Sequence, residues 1–94
     1  MVQRVVFTRQ AKKGLVKAPH YILKKFRKWV SDIEAYGLEE VRKVPGWRDH
    51  DLSGNRKGQR AIYLNILWRA IYQLQDDGSV YVSVLEVNPH EYKK

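Results

Sequence analysis

Apolar residues recur at three- and four-residue spacing between Pro19 and Gly37, which predicts an amphipathic helix. The repeating positions are Ile22, Phe26, Trp29 or Val30, Ile33 and Tyr36. Most of the lysines and arginines in this segment fall elsewhere around the helix. Pro19 suits the first helical turn, and Gly37 is a residue type that commonly ends a helix.

The segment before this helix predicts a strand and a shorter helix. Residues 2–8, VQRVVFT, are rich in strand-forming residues and partly alternate between apolar and polar. Thr8 is a suitable N-cap for a helix at Arg9–Lys17. Ala11 and Leu15 lie on one face of that helix. Because the two helices follow each other directly in the chain, they are expected to form a hairpin.

Residues 38–59 combine glycines, a proline and many charges, so most of this segment is expected to be loop. A short turn of helix is predicted at Leu38–Arg42. The connection is long for a small domain, and long ordered loops in compact domains often carry function.

Three strand-like runs follow in quick succession, at residues 60–65, 67–74 and 80–87. Asn65-Ile66 is predicted as a two-residue link between the first two runs, and an Asp-Gly pair marks the next turn. Short links join antiparallel neighbours, so the three runs predict an antiparallel meander. The middle run is apolar on both faces at several positions, as in an interior strand that helices cover.

The predicted fold class is α+β. An N-terminal strand, a two-helix hairpin and the three-stranded antiparallel meander form one sheet of about four strands, with the helices on one face. Residues 1–94 are expected to form a single domain, because the length suits one modest core and no repeat or second domain is recognisable.

Composition adds information on partners. The 94 residues carry a formal net charge of +8, which favours nucleic acid, an acidic protein or an anionic membrane surface. No apolar run approaches the roughly 20 residues that cross a bilayer, and no secretory signal is recognisable. The chain has no cysteine, which excludes disulfides and thiolate chemistry. We therefore expect a cytoplasmic protein.

Cations and histidines are the candidate functional residues. The cations that surround the first two predicted strands of the meander are Arg56, Lys57, Arg60 and Arg69. His20 is expected at the surface of the long helix, whereas His50 and His90 lie in loops at the two ends of the predicted meander. Histidine transfers protons near neutral pH, so these two loop positions suit acid–base chemistry.

Several reaction classes lack their motifs. The sequence contains no G-x-x-x-x-G-K-[ST] phosphate loop, no H-E-x-x-H metal motif and no G-x-S-x-G nucleophile elbow. The residues that remain suit cleavage of RNA by its own 2′-hydroxyl, which requires a base, an acid and cations but no metal or cofactor. From the residues alone, binding of a polyanion is favoured over ribonuclease activity.

The stretch DHDLSGNRKGQRAIYLNILWRAIYQL resembles the RelE/ParE superfamily of bacterial toxins. It is most similar to the HigB-like branch, whose members carry L-K-G-[DN]-R-x-G followed by N-x-W-R. The resemblance covers nearly the whole chain and is sharpest at residues 50–72. It implies a RelE-like fold and the toxin of a type II toxin–antitoxin system, which cleaves messenger RNA on the ribosome. The implied partners are an antitoxin, messenger RNA, the ribosome and, through the antitoxin complex only, operator DNA.

The resemblance also implies site residues. His50 matches a catalytic histidine, and Arg69 matches an arginine that lies near the scissile phosphate in several members. The tail residues His90, Glu91 and Tyr92 match a final catalytic cluster, but their order departs from the commonest HigB-like ending. Which of them is base or acid therefore stays open. The residues implied to contact RNA are Arg48, Arg56, Lys57 and Arg60.

Two other functions stay open. ParE-like members inhibit DNA gyrase without cutting RNA and share the arginine that Arg69 matches, and a decayed toxin binds only its antitoxin. Trp47 is predicted to stack on an RNA base, whereas Trp68 is predicted to pack in or beside the core.

Overall fold

The computed structural model describes residues 4–76 and 80–89. Strand β1 spans Arg4–Phe7, and helices α1, α2 and α3 span Arg9–Lys17, His20–Tyr36 and Leu38–Arg42. Two short 3-10 turns, at Pro45–Trp47 and Gly54–Arg56, flank strand β2 at His50–Asp51. Strands β3, β4 and β5 span Arg60–Tyr63, Trp68–Asp76 and Val80–Pro89.

The strands form one sheet in the order β1-β5-β4-β3-β2. Strands β3, β4 and β5 are antiparallel neighbours, which confirms the predicted meander. Strand β1 runs parallel to β5 at one edge, and the two-residue strand β2, which the sequence did not predict, pairs with β3 at the other. The α+β class and the predicted order of elements are therefore confirmed.

The predicted helix ends at Thr8 and Gly37 are confirmed, whereas Pro19 precedes α2 as its N-cap instead of lying in its first turn. The Thr8 hydroxyl accepts a hydrogen bond of 3.1 Å from the Ala11 amide and so caps α1. Helix α2 ends at Gly37, whose φ of 88° lies in the left-handed region that glycine tolerates best. Within residues 4–76 and 80–89, none of the helices combines the length and apolar character that crossing a bilayer requires.

Helix α2 and the sheet share one core. The buried residues of α2 are Ile22, Phe26, Trp29 and Ile33. Aromatic rings connect this helix to two strands, because Phe26 lies 5.8 Å from Phe7 and Trp29 lies 5.2 Å from Tyr72, measured between ring centroids. The face of the sheet that carries Phe7 and Tyr72 is therefore the face that the helices cover.

Helix α1 lies unusually close to β5. A Cβ atom added to Gly14 would lie 1.7 Å from the carbonyl oxygen of Val87, which is far inside the normal contact distance. Gly14 therefore lets the two backbones approach, and α1 holds the strand that carries Val87 in place.

The predicted two-residue link at Asn65-Ile66 is wrong. Strand β3 ends at Tyr63 and β4 begins at Trp68, so residues 64–67 join them. The amides of Leu64 and Asn65 both donate to the Trp68 carbonyl, at 2.8 and 3.2 Å. The Asn65 side chain in turn accepts from the Leu67 amide at 2.8 Å, and this local bonding favours a wider turn.

Candidate functional site

The cross-strand register determines which side chains share a face of the sheet. His50 lies opposite Ala61, Tyr63 lies opposite Arg69, and Arg69 lies opposite Asn88. Alternate residues of a strand point to the same side, so Ala61 and Tyr63 face alike. His50, Tyr63, Arg69 and Asn88 therefore share the face opposite the helices, which we call the open face.

Glu86 belongs to the open face as well. It lies opposite Ile71, which is two residues from Arg69 on β4. The register of β4 and β5 shifts next to this pair, so that Tyr72 lies opposite Val84 on the covered face. The irregularity thus keeps Val84 in the core while Glu86 stays on the open face.

His50 has a defined protonation pattern in its neutral form. Its Nδ1 atom lies 2.7 Å from the backbone carbonyl oxygen of Arg48. A carbonyl oxygen only accepts hydrogen bonds, so Nδ1 must donate and carry the proton. The lone pair of the neutral ring then lies on Nε2 of an exposed side chain, where it is available to accept a proton.

Arg48 and Tyr63 surround this histidine. The His50 ring meets the Tyr63 ring edge-on at 5.7 Å, and the Arg48 guanidinium lies 6.0 Å from the centroid of the same ring. A cation over an aromatic face is held by the ring quadrupole. Tyr63 therefore links an imidazole and a guanidinium in one cluster at the end of β3.

Arg69 supplies a second cation. Among the residues that the structure describes, its Nε atom is buried and has no hydrogen-bond partner. A buried donor without a partner costs free energy. Arg69 lies opposite Tyr63, whose ring contacts both His50 and Arg48.

Arg56 reaches the open face from the turn that precedes β3. Its guanidinium pairs with the Glu86 carboxylate and also donates to the Gln59 side chain at 2.9 Å. The Asn88 amide donates to the same carboxylate at 2.8 Å. Glu86 therefore holds Arg56 against the sheet and neutralises part of its charge.

Arg60 does not join these residues. It lies opposite Tyr72, on the side of the sheet that the helices cover. Its Nε atom donates to the Asp49 carboxylate at 2.5 Å, and another of its nitrogens pairs with Asp51. Burial acts to lower the pKa of Arg60, but the hydrogen bond and charge of Asp49 outweigh it and raise that pKa.

Asp49 is also hydrogen-bonded to a core residue, Tyr72. The Tyr72 hydroxyl donates a hydrogen bond to its second carboxylate oxygen. Burial raises the pKa of Tyr72 well above its usual value, and the bond to the anionic Asp49 raises it further. Tyr72 therefore keeps its proton and remains a hydrogen-bond donor.

The structure thus brings His50, Arg48, Arg56 and Arg69 to one face. Lys57 is exposed in the loop before β3, where it lines a depression together with residues 51–54 and Gly58. His90, Glu91 and Tyr92 lie outside the described residues. Strand β5 ends at Pro89, which pairs with Trp68, the neighbour of Arg69.

The two predictions for tryptophans have opposite outcomes. Trp47 is 7% exposed and belongs to the core cluster, so the predicted stacking on an RNA base is wrong. A ring with so little accessible surface has no free face for a base. Trp68 is half-buried against the core, as predicted.

Sequence reasoning missed Tyr63, Glu86 and Asn88. Their signal was the period-two alternation of strands, which places Tyr63 on the face of Ala61 and Asn88 on the face of Glu86. To assign these residues to one face, the correct register between β3 and β4 must also be known. Among the described residues, no group of three or more histidines or carboxylates is arranged to hold a metal ion.

No family model matches this sequence, and no curated protein matches it. Solved structures are similar along almost the whole chain. A YoeB/ParE toxin from Agrobacterium tumefaciens has a TM-score of 0.71 at 13% identity, covering 95% of this chain and 100% of its own. A chain of the E. coli DinJ–YafQ toxin–antitoxin complex has a TM-score of 0.73 at 20% identity, with 96% and 94% covered.

A third similar structure is the toxin–antitoxin complex RelBE2 from Mycobacterium tuberculosis. Its matching chain has a TM-score of 0.69 at 21% identity, with 96% of this chain and 100% of that chain covered. At such low identity the shared property is the arrangement of helices and strands. The protein therefore has the fold of the RelE- and YoeB-like toxins.

Proposed function

We propose that this protein is the toxin of a type II toxin–antitoxin system and a metal-independent endoribonuclease that cleaves ribosome-bound messenger RNA. The observation that carries the proposal is the open face, where His50 offers its Nε2 atom in one cluster with Arg48 and Tyr63, and Arg69 lies opposite Tyr63 on the neighbouring strand. The fold of the similar toxins supports it, as does the motif at residues 50–72, which favours the HigB-like branch.

In the proposed reaction the RNA supplies its own nucleophile. His50 takes the proton of a 2′-hydroxyl on Nε2, and the freed oxygen attacks the adjacent phosphorus. Arg69 donates hydrogen bonds to the phosphorane oxygens, whose negative charge increases in the transition state. The bond to the 5′-oxygen then breaks, and an acid returns a proton to it. The products are a 2′,3′-cyclic phosphate and a 5′-hydroxyl.

The acid is assigned to the tail. His90, Glu91 and Tyr92 each carry a group that can hold a proton, and they follow Pro89 at the end of β5. Pro89 lies opposite Trp68, one residue from Arg69.

Other residues of the open face bind the substrate. Arg48 and Arg56, together with Lys57 in the preceding loop, neutralise RNA phosphates. Tyr63 offers an aromatic surface for a sugar or base between His50 and Arg69. An open sheet has little means to hold single-stranded RNA in line for attack, and the ribosome supplies that constraint. Charge reversal at Arg56 and Lys57 is expected to weaken ribosome association and to flatten its salt dependence.

The proposed partners follow from charge and fold. A chain with a net charge of +8 suits an antitoxin with an acidic binding surface, which would also keep RNA away. Operator DNA would be bound only through the antitoxin complex, and the whole system would act in the cytoplasm. Arg60 is left out of the RNA contacts, because Asp49 and Asp51 already pair with it.

The proposal is tested by inducing the chain without an antitoxin and mapping the 5′ ends of cellular messenger RNA. Cuts in phase with codons are expected, together with growth arrest. His50→Ala, Arg69→Ala and His90→Ala should each abolish the cuts. Matched controls are His20→Ala and Arg27→Ala, because both residues are exposed on α2, away from the open face.

Three outcomes would contradict the proposal. If the three site variants remain as toxic as the wild type, the assigned residues are wrong. A DNA-damage response with intact messenger RNA would instead indicate an inhibitor of DNA gyrase. Unimpaired growth with a folded protein would indicate a chain that only binds its antitoxin.

A further inference from the structure

Asp49 precedes His50 in an exposed loop, yet its own side chain is almost fully buried. The exposed fraction of that side chain is 2%. Removing a carboxylate from water is costly unless hydrogen bonds replace the lost hydration. Both oxygens are satisfied here, since one accepts from Arg60 Nε and the other accepts from the Tyr72 hydroxyl.

Tyr72 connects Asp49 to the rigid interior. It is 0% exposed, and its ring packs 5.2 Å from the ring of Trp29 on α2. Arg60 and Tyr72 are also directly opposite each other on β3 and β4. The position of Asp49 is therefore fixed by the sheet and the helix together, rather than by the loop that contains it.

Arg48 has a constrained backbone, because it lies between two residues with buried side chains, Trp47 and Asp49. Trp47 is buried on one side of Arg48, and Asp49 is buried on the other. Arg48 itself has φ 50° and ψ 44°, a left-handed conformation that non-glycine residues adopt at a cost. In this conformation the Arg48 carbonyl oxygen lies 2.7 Å from His50 Nδ1.

We propose that Asp49 is a positioning residue for His50. Held by Tyr72 and Arg60, it keeps the Arg48 carbonyl under Nδ1, which keeps the proton there and leaves Nε2 free on the open face. Asp49 does not touch the substrate, because its oxygens are engaged on the covered side. Its effect on catalysis presupposes the proposed function, whereas its effect on the histidine proton does not.

The proton on His50 can be measured directly. Long-range ¹H–¹⁵N correlation spectra of the purified, folded chain distinguish Nδ1–H from Nε2–H in the neutral ring. The wild type is expected to show the Nδ1–H form, assigned by comparison with His50→Gln. Asp49→Asn and Tyr72→Phe are expected to reduce that form to a minority.

Thr8→Ala is the matched control. It removes the N-cap of α1 and so lowers stability without touching the loop around His50. Its His50 spectrum should equal that of the wild type. If His50 keeps the wild-type pattern in both folded variants, or loses it in the control as well, the positioning role is wrong.

Cleavage of a short messenger RNA on purified ribosomes gives the second readout. Asp49→Asn should lower kcat by about tenfold to a hundredfold and leave KM nearly unchanged, because misdirection of the base affects the chemical step. If His50→Ala cleaves as well as the wild type, the proposed function fails, although the spectra can still support the positioning role. If His50→Ala is inactive and Asp49→Asn retains full kcat, the positioning role fails by itself.

Discussion

The guanidinium of Arg56 pairs with the carboxylate of Glu86, thirty positions further along the chain. This pair joins the turn before β3 to the last strand of the sheet. It also places a negative charge on the face where Arg48 and Arg69 lie. The carboxylate thus competes with any phosphate that approaches Arg56.

Replacing Glu86 with glutamine should strengthen RNA binding. Glutamine retains the size of the side chain but frees the Arg56 charge for a phosphate. We expect single-stranded RNA to bind about two- to fivefold more tightly, with a salt slope steeper by about 0.7 for the added phosphate contact. Fluorescence anisotropy with a labelled oligonucleotide across a range of salt concentrations measures both quantities.

Glu34→Gln is the control for that measurement, because it changes the net charge equally at an exposed position of α2. It should leave the affinity nearly unchanged. An equal gain in both variants would mean that total charge, rather than the pairing of Arg56, determines the affinity.

Replacing Arg48 with glycine should separate stability from binding. The left-handed conformation costs a residue with a side chain about 1–2 kcal/mol, and the added flexibility of glycine in the unfolded chain costs about 0.4–1 kcal/mol. The free energy of unfolding should therefore rise by about 0.5–1 kcal/mol in urea titrations. RNA affinity should fall, because the cation over Tyr63 is lost. A loss of stability would contradict the assigned strain.

Replacing Gly14 with alanine should destabilise the fold by up to about 2 kcal/mol. The preference of helices for alanine contributes only about 1 kcal/mol in the other direction. The added methyl group would overlap the Val87 carbonyl, and backbone atoms of a central strand cannot yield as a flexible side chain does. Gly46→Ala is the control, since its methyl group would meet no atom within 4 Å. Urea unfolding of both variants tests the difference.

Replacing Tyr72 with phenylalanine should change how stability depends on pH. The raised pKa of Tyr72 means that its contribution is present below about pH 10, the usual tyrosine pKa, and is lost as the pH rises further. Wild-type stability should therefore fall by up to about 1.4 kcal/mol per pH unit more steeply than that of the variant. Near neutral pH the variant should be weaker by about 1–3 kcal/mol, because Asp49 loses a buried donor.

Unfolding of both proteins between pH 8 and about pH 11 measures this difference. The two proteins share every other titratable group, so the effects of those groups cancel. Parallel pH profiles would show that the Tyr72 hydroxyl does not titrate differently in the folded and unfolded states.

The elements that the sequence predicted best are those whose pattern is local. The period of α2 placed Ile22, Phe26, Trp29 and Ile33 in the core, and all four are buried, whereas Tyr36 at the end of the predicted repeat is exposed. The cap at Thr8 depends only on the residues next to it. Propensity and periodicity act over a few positions, so they can be read without knowing what packs against them.

The candidate site was harder to predict because it depends on register. A two-residue link at Asn65-Ile66 would pair Leu64 with Leu67. It would therefore put Arg69 opposite Ile62, on the covered face. The observed turn shifts the pairing by one residue and places Arg69 opposite Tyr63. A shift of one residue in the pairing moves every side chain of a strand to the other face of the sheet. The wrong turn therefore prevented the prediction that Tyr63 belongs to the site.

Burial and ion pairing determine which of the aromatic and cationic residues are accessible to RNA, and the residue types alone do not show this. Trp47 and Arg60 were predicted to meet RNA because aromatic and cationic side chains often do. The core covers the first, and Asp49 and Asp51 bind the second. The sequence pattern does not reveal what covers Trp47 or what pairs with Arg60. Only the folded chain therefore distinguishes these two residues from Arg48 and Arg69.

The parallel pairing of β1 with β5 has a consequence for synthesis. In the part of the chain that the structure describes, β1 pairs with β5 alone. During synthesis β1 therefore waits for β5, and the sheet cannot close around β1 until β5 has been made. Any activity that depends on the closed sheet is therefore delayed until β5 has left the ribosome.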